Sequence, residues 1–145
     1  MFANLLSRLT QPDPEPLGNE DARLALTALL VRIARSDGVY EASEKERIAA
    51  IAETRYGLTS SDAGDLLLSA EGLEAEAPDT IRFTRAIKEA VAYEDRIAVI
   101  EALWQVALAD GERDAKEDAL IRMASGFLGV SDMDSAQARR RVDNS

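Results

Sequence analysis

From about position 20 onward, apolar residues recur at intervals of three and four, and strict two-residue alternation is missing. That periodicity predicts helices and no strands. Leu26, Leu30 and Ile33 form one apolar stripe, and Val99, Leu103 and Val106 form another. The pattern predicts helices over 20–36, 43–56, 60–76, 79–91, 94–109, 115–128 and 132–141. Local signals agree with these bounds: Gly38, Gly57 and Gly111 suit helix C-termini, and Pro78 suits a first turn. Ser43 with Glu46, Thr59 with Asp62, and Asp114 with Glu117 have the spacing of capping boxes or near relatives. Ahead of this body, Phe2, Leu5, Leu6 and Leu9 lie at helical spacing, and Pro12, Pro14, Pro16 and Gly18 then interrupt the chain. This short arm can dock on its own domain, on a second copy of the chain, or on a partner. The expected architecture is all-α: a compact bundle of about seven helices plus a short N-terminal helix. It divides into an arm and Pro-rich linker at 1–18, one helical domain at 19–141 and a tail at 142–145.

Composition narrows the chemistry. The 145 residues include 27 Asp plus Glu against 17 Lys plus Arg, a net charge of −10, with no histidine and no cysteine. Nucleophilic sites built on imidazole or thiol, Cys/His zinc sites, iron–sulfur clusters and disulfides are therefore excluded. At 46% hydrophobic residues the chain is apolar enough to bury a core. Its acidity disfavours nucleic acid and favours cations or basic protein surfaces. The three arginines Arg139 to Arg141 complement a helix C-terminus without changing that balance. The sequence has neither a transmembrane run nor a signal-peptide pattern, so a cytoplasmic protein is expected.

The two halves repeat. The segment from Ala34 to Glu44 aligns with that from Ala107 to Glu117 at a constant offset of 73, and both read A-x-x-D-G-x-x-[DE]-A-x-E. The same register pairs Leu26 with Val99, Leu30 with Leu103, Ile33 with Val106 and Ile48 with Ile121. Two pseudo-symmetric helix–loop–helix repeats are expected to pack about an approximate two-fold axis. Six carboxylates then become candidates for one shared metal site: Asp37, Glu41, Glu44, Asp110, Asp114 and Glu117. Glu44 and Glu117 have an ordinary role open to them in the first turn of a helix, and Glu41 and Asp114 as N-cap or loop residues. Asp37 and Asp110 are different, because each follows the C-terminal part of a helix, where an anion is unfavourable by about 0.3–1 kcal/mol. Each also continues an apolar stripe at i, i+4, i+7, i+11, which directs it toward the inter-helix groove. Against that stands an Asx-type cap with no further function.

Measured against an EF-hand loop, Gly38 at position 6 puts Asp37 at 5, Glu41 at 9 and Glu44 at 12, and the second repeat does the same. Positions 1 and 3 are Ile33 and Arg35, or Val106 and Leu108, which cannot coordinate a hard cation. Neither loop is an EF-hand, and one ion would need both loops. With oxygen ligands alone, calcium, magnesium or manganese is the expected cofactor.

The segment from Leu103 to Glu112, with Glu117 and Leu120-Ile121-Arg122, resembles the signature of TerB-like tellurite-resistance domains, and Ala34 to Ile48 is a weaker copy. The resemblance covers roughly Asn19 to Arg141. It implies an all-helical domain with two similar halves and an acidic cluster proposed to bind metal, at the six positions named above. It also implies an association with bacterial stress and tellurite-resistance systems and with membrane-linked protein assemblies. The leading expectation is thus a non-enzymatic, cation-binding module for an unidentified protein partner, basic or membrane-associated. A metal-independent acidic docking module is the alternative, and a metal-dependent hydrolase ranks third because no phosphate loop, arginine clamp or general base stands out. Trp104 and Phe127 read as core residues. Tyr40 reads as either a contact residue or a cover for the first cap, and Tyr93-Glu94-Asp95 as a helix start.

Overall fold

A helix with one apolar face must bury that face, and here the partners are other helices. The computed structural model describes residues 3–9, 17–35, 40–77, 79–109 and 115–143, without the side chains of 3, 4, 107–109, 115–118 and 120. Among the described residues there are eight helices and no strand: α1 (Ala3–Leu9), α2 (Asn19–Arg35), α3 (Ala42–Tyr56), α4 (Ser60–Glu76), α5 (Thr80–Ala90), α6 (Tyr93–Ala109), α7 (Ala115–Phe127) and α8 (Asp132–Asp143). The expected all-α class is what forms, and the bounds differ from the sequence reading by no more than two residues. No described helix is long and apolar enough to cross a membrane.

The stripes are the core. Leu26, Leu30 and Ile33 of α2 and Val99 and Leu103 of α6 are buried, together with Ile48 and Ile51 of α3, Leu67 and Leu73 of α4 and Phe83 and Ile87 of α5. Helix α2 packs on α3, α4, α5 and α7, while α6 packs on α3, α7 and α8. The arm docks on its own chain: α1 contacts α5, Leu5 and Leu9 are buried, and Arg8 pairs with Asp21 of α2 at 3.0 Å. Trp104 is buried as expected, and its Nε1 donates to Ser135 Oγ of α8 at 3.2 Å. Phe127 packs against the core from a partly buried position.

Helix ends follow local chemistry. Thr59 caps α4 by accepting from the Asp62 amide, as its spacing predicts, and Asp79 caps α5 by accepting from the Arg82 amide. Gly57 ends α3 with φ of 64°. After α7, Gly129 takes φ of 68°, and the Val130 amide donates to the Ser125 carbonyl at 2.8 Å, the six-residue closure of a Schellman motif. The predicted Ser43–Glu46 box does not form, because the N-cap is Glu41, two residues before Ser43, and α3 starts at Ala42. Gly38, Pro78 and Gly111 lie outside the described residues.

The directions of three helices meet at one cleft, lined by Asn19, Ala22, Arg23 and Leu26 of α2, Arg55 and Tyr56 of α3 and Asp95 of α6. Thus α2 and α6 begin at the same end of the bundle, where α3 finishes. Helices α2 and α6 are each 17 residues long, about 25 Å at 1.5 Å per residue.

Candidate functional site

Of the six carboxylates, only those of Glu41 and Glu44 lie among the described side chains. Asp37, Asp110 and Asp114 fall outside the described residues, and Glu117 is in the first turn of α7, its side chain outside those described. Glu41 holds the N-cap position of α3 in extended backbone, φ −89° and ψ 166°, yet its side chain makes no cap hydrogen bond. Its main-chain carbonyl accepts from the amides of Glu44 and Lys45, both at 3.1 Å. Glu44 is therefore the third helical residue, a favourable place for negative charge. Neither carboxylate has an ion pair among the described residues. No group of three or more metal-capable side chains is found there either.

Tyr40 precedes this cap. Its ring packs against the core under the guanidinium of Arg35, 5.0 Å from the ring centroid, and the ammonium of Lys45 at 5.1 Å. The Tyr40 hydroxyl is buried on the side of Glu71. Burial, with the Glu71 carboxylate close by, holds its pKa above the ordinary phenol value. Of the two roles open to Tyr40, covering the first turn is the one its partial burial fits.

Three other arrangements were not anticipated from the sequence. The first fastens α2 to α4 and α5. Arg32 Nε donates to Glu74 Oε1 at 2.7 Å, while its Nη2 donates to the carbonyl oxygens of Glu74 at 3.0 Å and Ala77 at 3.4 Å. Arg35 meets the other oxygen of Glu74 at 3.2 Å. The signal for Glu74 was present: Ala63, Leu67, Ala70 and Glu74 run i, i+4, i+7, i+11, the same rule applied to Asp37.

The second is Arg96, whose Nε donates to the Val91 carbonyl at 3.1 Å and whose Nη1 donates to the Leu128 carbonyl at 2.6 Å. One guanidinium thereby satisfies carbonyls at the C-terminal ends of α5 and α7. Burial lowers its pKa from the usual arginine value.

The third is the cleft at the start of α2 and α6, about 270 Å³ in volume. Arg23 and Arg55 lie over the Tyr56 ring, 5.0 and 5.2 Å from its centroid. Arg55 Nη2 reaches Asp95 Oδ1 at 3.4 Å, and its Nε is buried with no acceptor. Burial pushes the Tyr56 pKa up to about 12, outweighing the two arginines, which act to lower it. Arg55 extends the buried stripe of Ile48, Ile51 and Ala52 by one turn, which was its signal in the sequence.

Comparison with characterised proteins and with solved structures finds no match for this chain. A family model does match, over residues 23–140. It carries the description tellurite resistance protein TerB, spans nearly all of α2 to α8, and includes both Asp-Gly segments. The chain belongs to the TerB family.

Proposed function

We propose that this TerB-family domain is a non-enzymatic, divalent-cation-responsive module that presents a surface to a protein partner in the cytoplasm. One calcium, magnesium or manganese ion is held between the two Asp-Gly turns, by Asp37, Glu41 and Glu44 from one and Asp110, Asp114 and Glu117 from the other. The observation that carries this reading is the common starting end of α2 and α6. The two helices are of equal length and begin at one cleft, and an acidic Asp-Gly segment follows each of them in the sequence, which supports the reading. The packing of α2 on α7 and of α3 on α6 supports the pairing of two helix–loop–helix units.

The donor set fits a hard cation, being all oxygen. Glu41 supports it further, since a carboxylate that makes no cap bond keeps its oxygens for another partner. The test is a thermal melt of the full chain with each cation at millimolar concentration and again with chelator. A site filled a hundredfold above its dissociation constant adds about 2.7 kcal/mol of stability. The Asp37→Asn/Asp110→Asn double variant should lose that gain. Stability indifferent to all three cations, with partner binding that fades in salt and ignores chelator, would transfer the reading to a metal-independent acidic docking module.

A further inference from the structure

The cleft where α2 and α6 begin is basic on a chain whose net charge is −10. Its charged lining is Arg23, Arg55 and Asp95, one net positive charge. Both guanidiniums hold donors in reserve. The Arg23 guanidinium lies over the Tyr56 ring and has no ion pair among the described residues. Arg55 has one polar side-chain partner there, Asp95 at 3.4 Å, longer than the roughly 2.7–2.9 Å of a good charge-assisted bond. Its buried Nε–H lacks an acceptor altogether, which for a charged group is a costly state.

The helix starts at this cleft are also open. The Gly18 carbonyl accepts the first bond of α2, from Ala22 at 2.9 Å, and the Ala92 carbonyl accepts that of α6, from Arg96 at 3.2 Å. Neither glycine nor alanine has a side-chain acceptor for the free amides of the first turn, unlike Thr59, Asp79 and Ser131 before α4, α5 and α8. Glu20, Asp21 and Glu94 lie in these first turns and offset part of the positive potential, but Asp21 is bound to Arg8.

We infer that this cleft is an oxyanion site, taking a phosphate-like group between Arg23 and Arg55 against the Tyr56 ring. The donors come from two helices, Arg23 from α2 and Arg55 with Tyr56 from α3, and two guanidiniums suit a multiply charged oxyanion with three or more oxygens better than a singly charged carboxylate. The volume suits a single such group on a small molecule. At neutral pH the Tyr56 hydroxyl stays protonated and is a further donor. The inference does not depend on the cation reading, because the two sites share no residue.

The test is calorimetric titration of the full chain at constant low ionic strength with inorganic phosphate, glycerol phosphate, tellurite and acetate. Saturable binding is expected for the oxyanions and weaker binding for acetate. Affinity should fall about tenfold or more in Arg23→Gln and in Arg55→Lys, the loss of one charge-assisted bond. Arg141→Gln, on α8, should bind as the parent does. Glycerol phosphate tighter than free phosphate identifies a phosphate monoester as the source, and tellurite tighter than both identifies a free inorganic oxyanion. No saturation with any oxyanion, acetate as tight as phosphate, or unchanged affinity in Arg23→Gln overturns the inference. Circular dichroism of each variant checks folding, and if Arg55→Lys does not fold, Arg23→Gln decides.

Discussion

Replacing Glu74 isolates the contact that fastens α4 to α2. The Glu74 and Arg32 side chains are 7% and 16% exposed and meet at 2.7 Å, so the ion pair is shielded from water. Breaking a buried pair by removing one partner costs about 3–5 kcal/mol, because the remaining charge is stranded. In Glu74→Ala, Arg32 keeps its bonds to the carbonyls of residues 74 and 77, at 3.0 and 3.4 Å, and its place over the Phe83 ring at 5.8 Å. The cost therefore falls at the lower end of the range, about 3 kcal/mol. Arg35 is 45% exposed and contributes little to the total, at most about 1 kcal/mol. Glu74→Gln retains an acceptor for Arg32 Nε and loses only the charge, so it should cost about 1–2 kcal/mol. The assay is urea unfolding at neutral pH, followed through the fluorescence of Trp104, the single tryptophan. The expected order of loss is Glu74→Ala, then Glu74→Gln, then Arg35→Ala, at constant m-value. A Glu74→Ala variant within about 1 kcal/mol of the parent would refute the claim that the pair is a shielded lock.

Gly129→Ala should destabilise by about 1–2 kcal/mol in the same assay, since φ is +68° and the added carbon would stand 3.1 Å from both Arg96 Nη1 and Lys88 Cδ. Thr84→Val should leave stability unchanged or raise it by about 1 kcal/mol, because Thr84 is 5% exposed and its hydroxyl has no partner; a clear loss would reveal a bond that the geometry does not show. Tyr56 gives a pH dependence with a definite sign. Its folded pKa of about 12 lies above the ordinary phenol value, so its contribution is fully present below the unfolded pKa and is lost as pH rises through the folded one. Tyr56→Phe should flatten the fall in stability across that alkaline window, and a parent-like slope in the variant would assign the fall to other groups.

Periodicity carried most of the fold, because a helix that buries one face writes it into the spacing of Leu, Ile, Val and Ala. The stripes of α2 and α6 were readable for this reason, and so was the start of α4, where Thr59 does what its spacing implied. The start of α3 was misplaced because Ser43 and Glu46 have the right chemistry for a cap two residues too late, and the backbone turns into the helix at Glu41 without any side-chain cap. Long-range pairing was the part that spacing could not supply. Glu74 meets the stripe rule as Asp37 does, and in its case the rule resolves into partners on α2, Arg32 at 42 residues' separation and Arg35 a turn further on. Arg55 likewise sits on a buried stripe, and its neighbours Arg23 and Asp95 come from helices far apart in sequence. A polar residue on an apolar stripe thus announces a buried or half-buried partner without naming it.

That limit bears directly on the acidic turns, and charge near helix ends supplies a way past it. Asp37 lies two residues beyond the described end of α2 at Arg35, and Asp110 directly follows Ala109 at the end of α6. Carbonyl oxygens at such ends carry negative partial charge, so each aspartate there opposes its own helix by about 0.3–1 kcal/mol. If the aspartates are only caps or surface charge, the cost is uncompensated, and neutral Asn at both positions stabilises the chain whatever cation is present. If an ion bridges the turns, the cost is offset when it binds, and the effect of the same substitutions changes sign: stabilising by up to about 2 kcal/mol with chelator, destabilising with cation in excess. Local capping predicts one sign under both conditions, whereas a shared ion requires two.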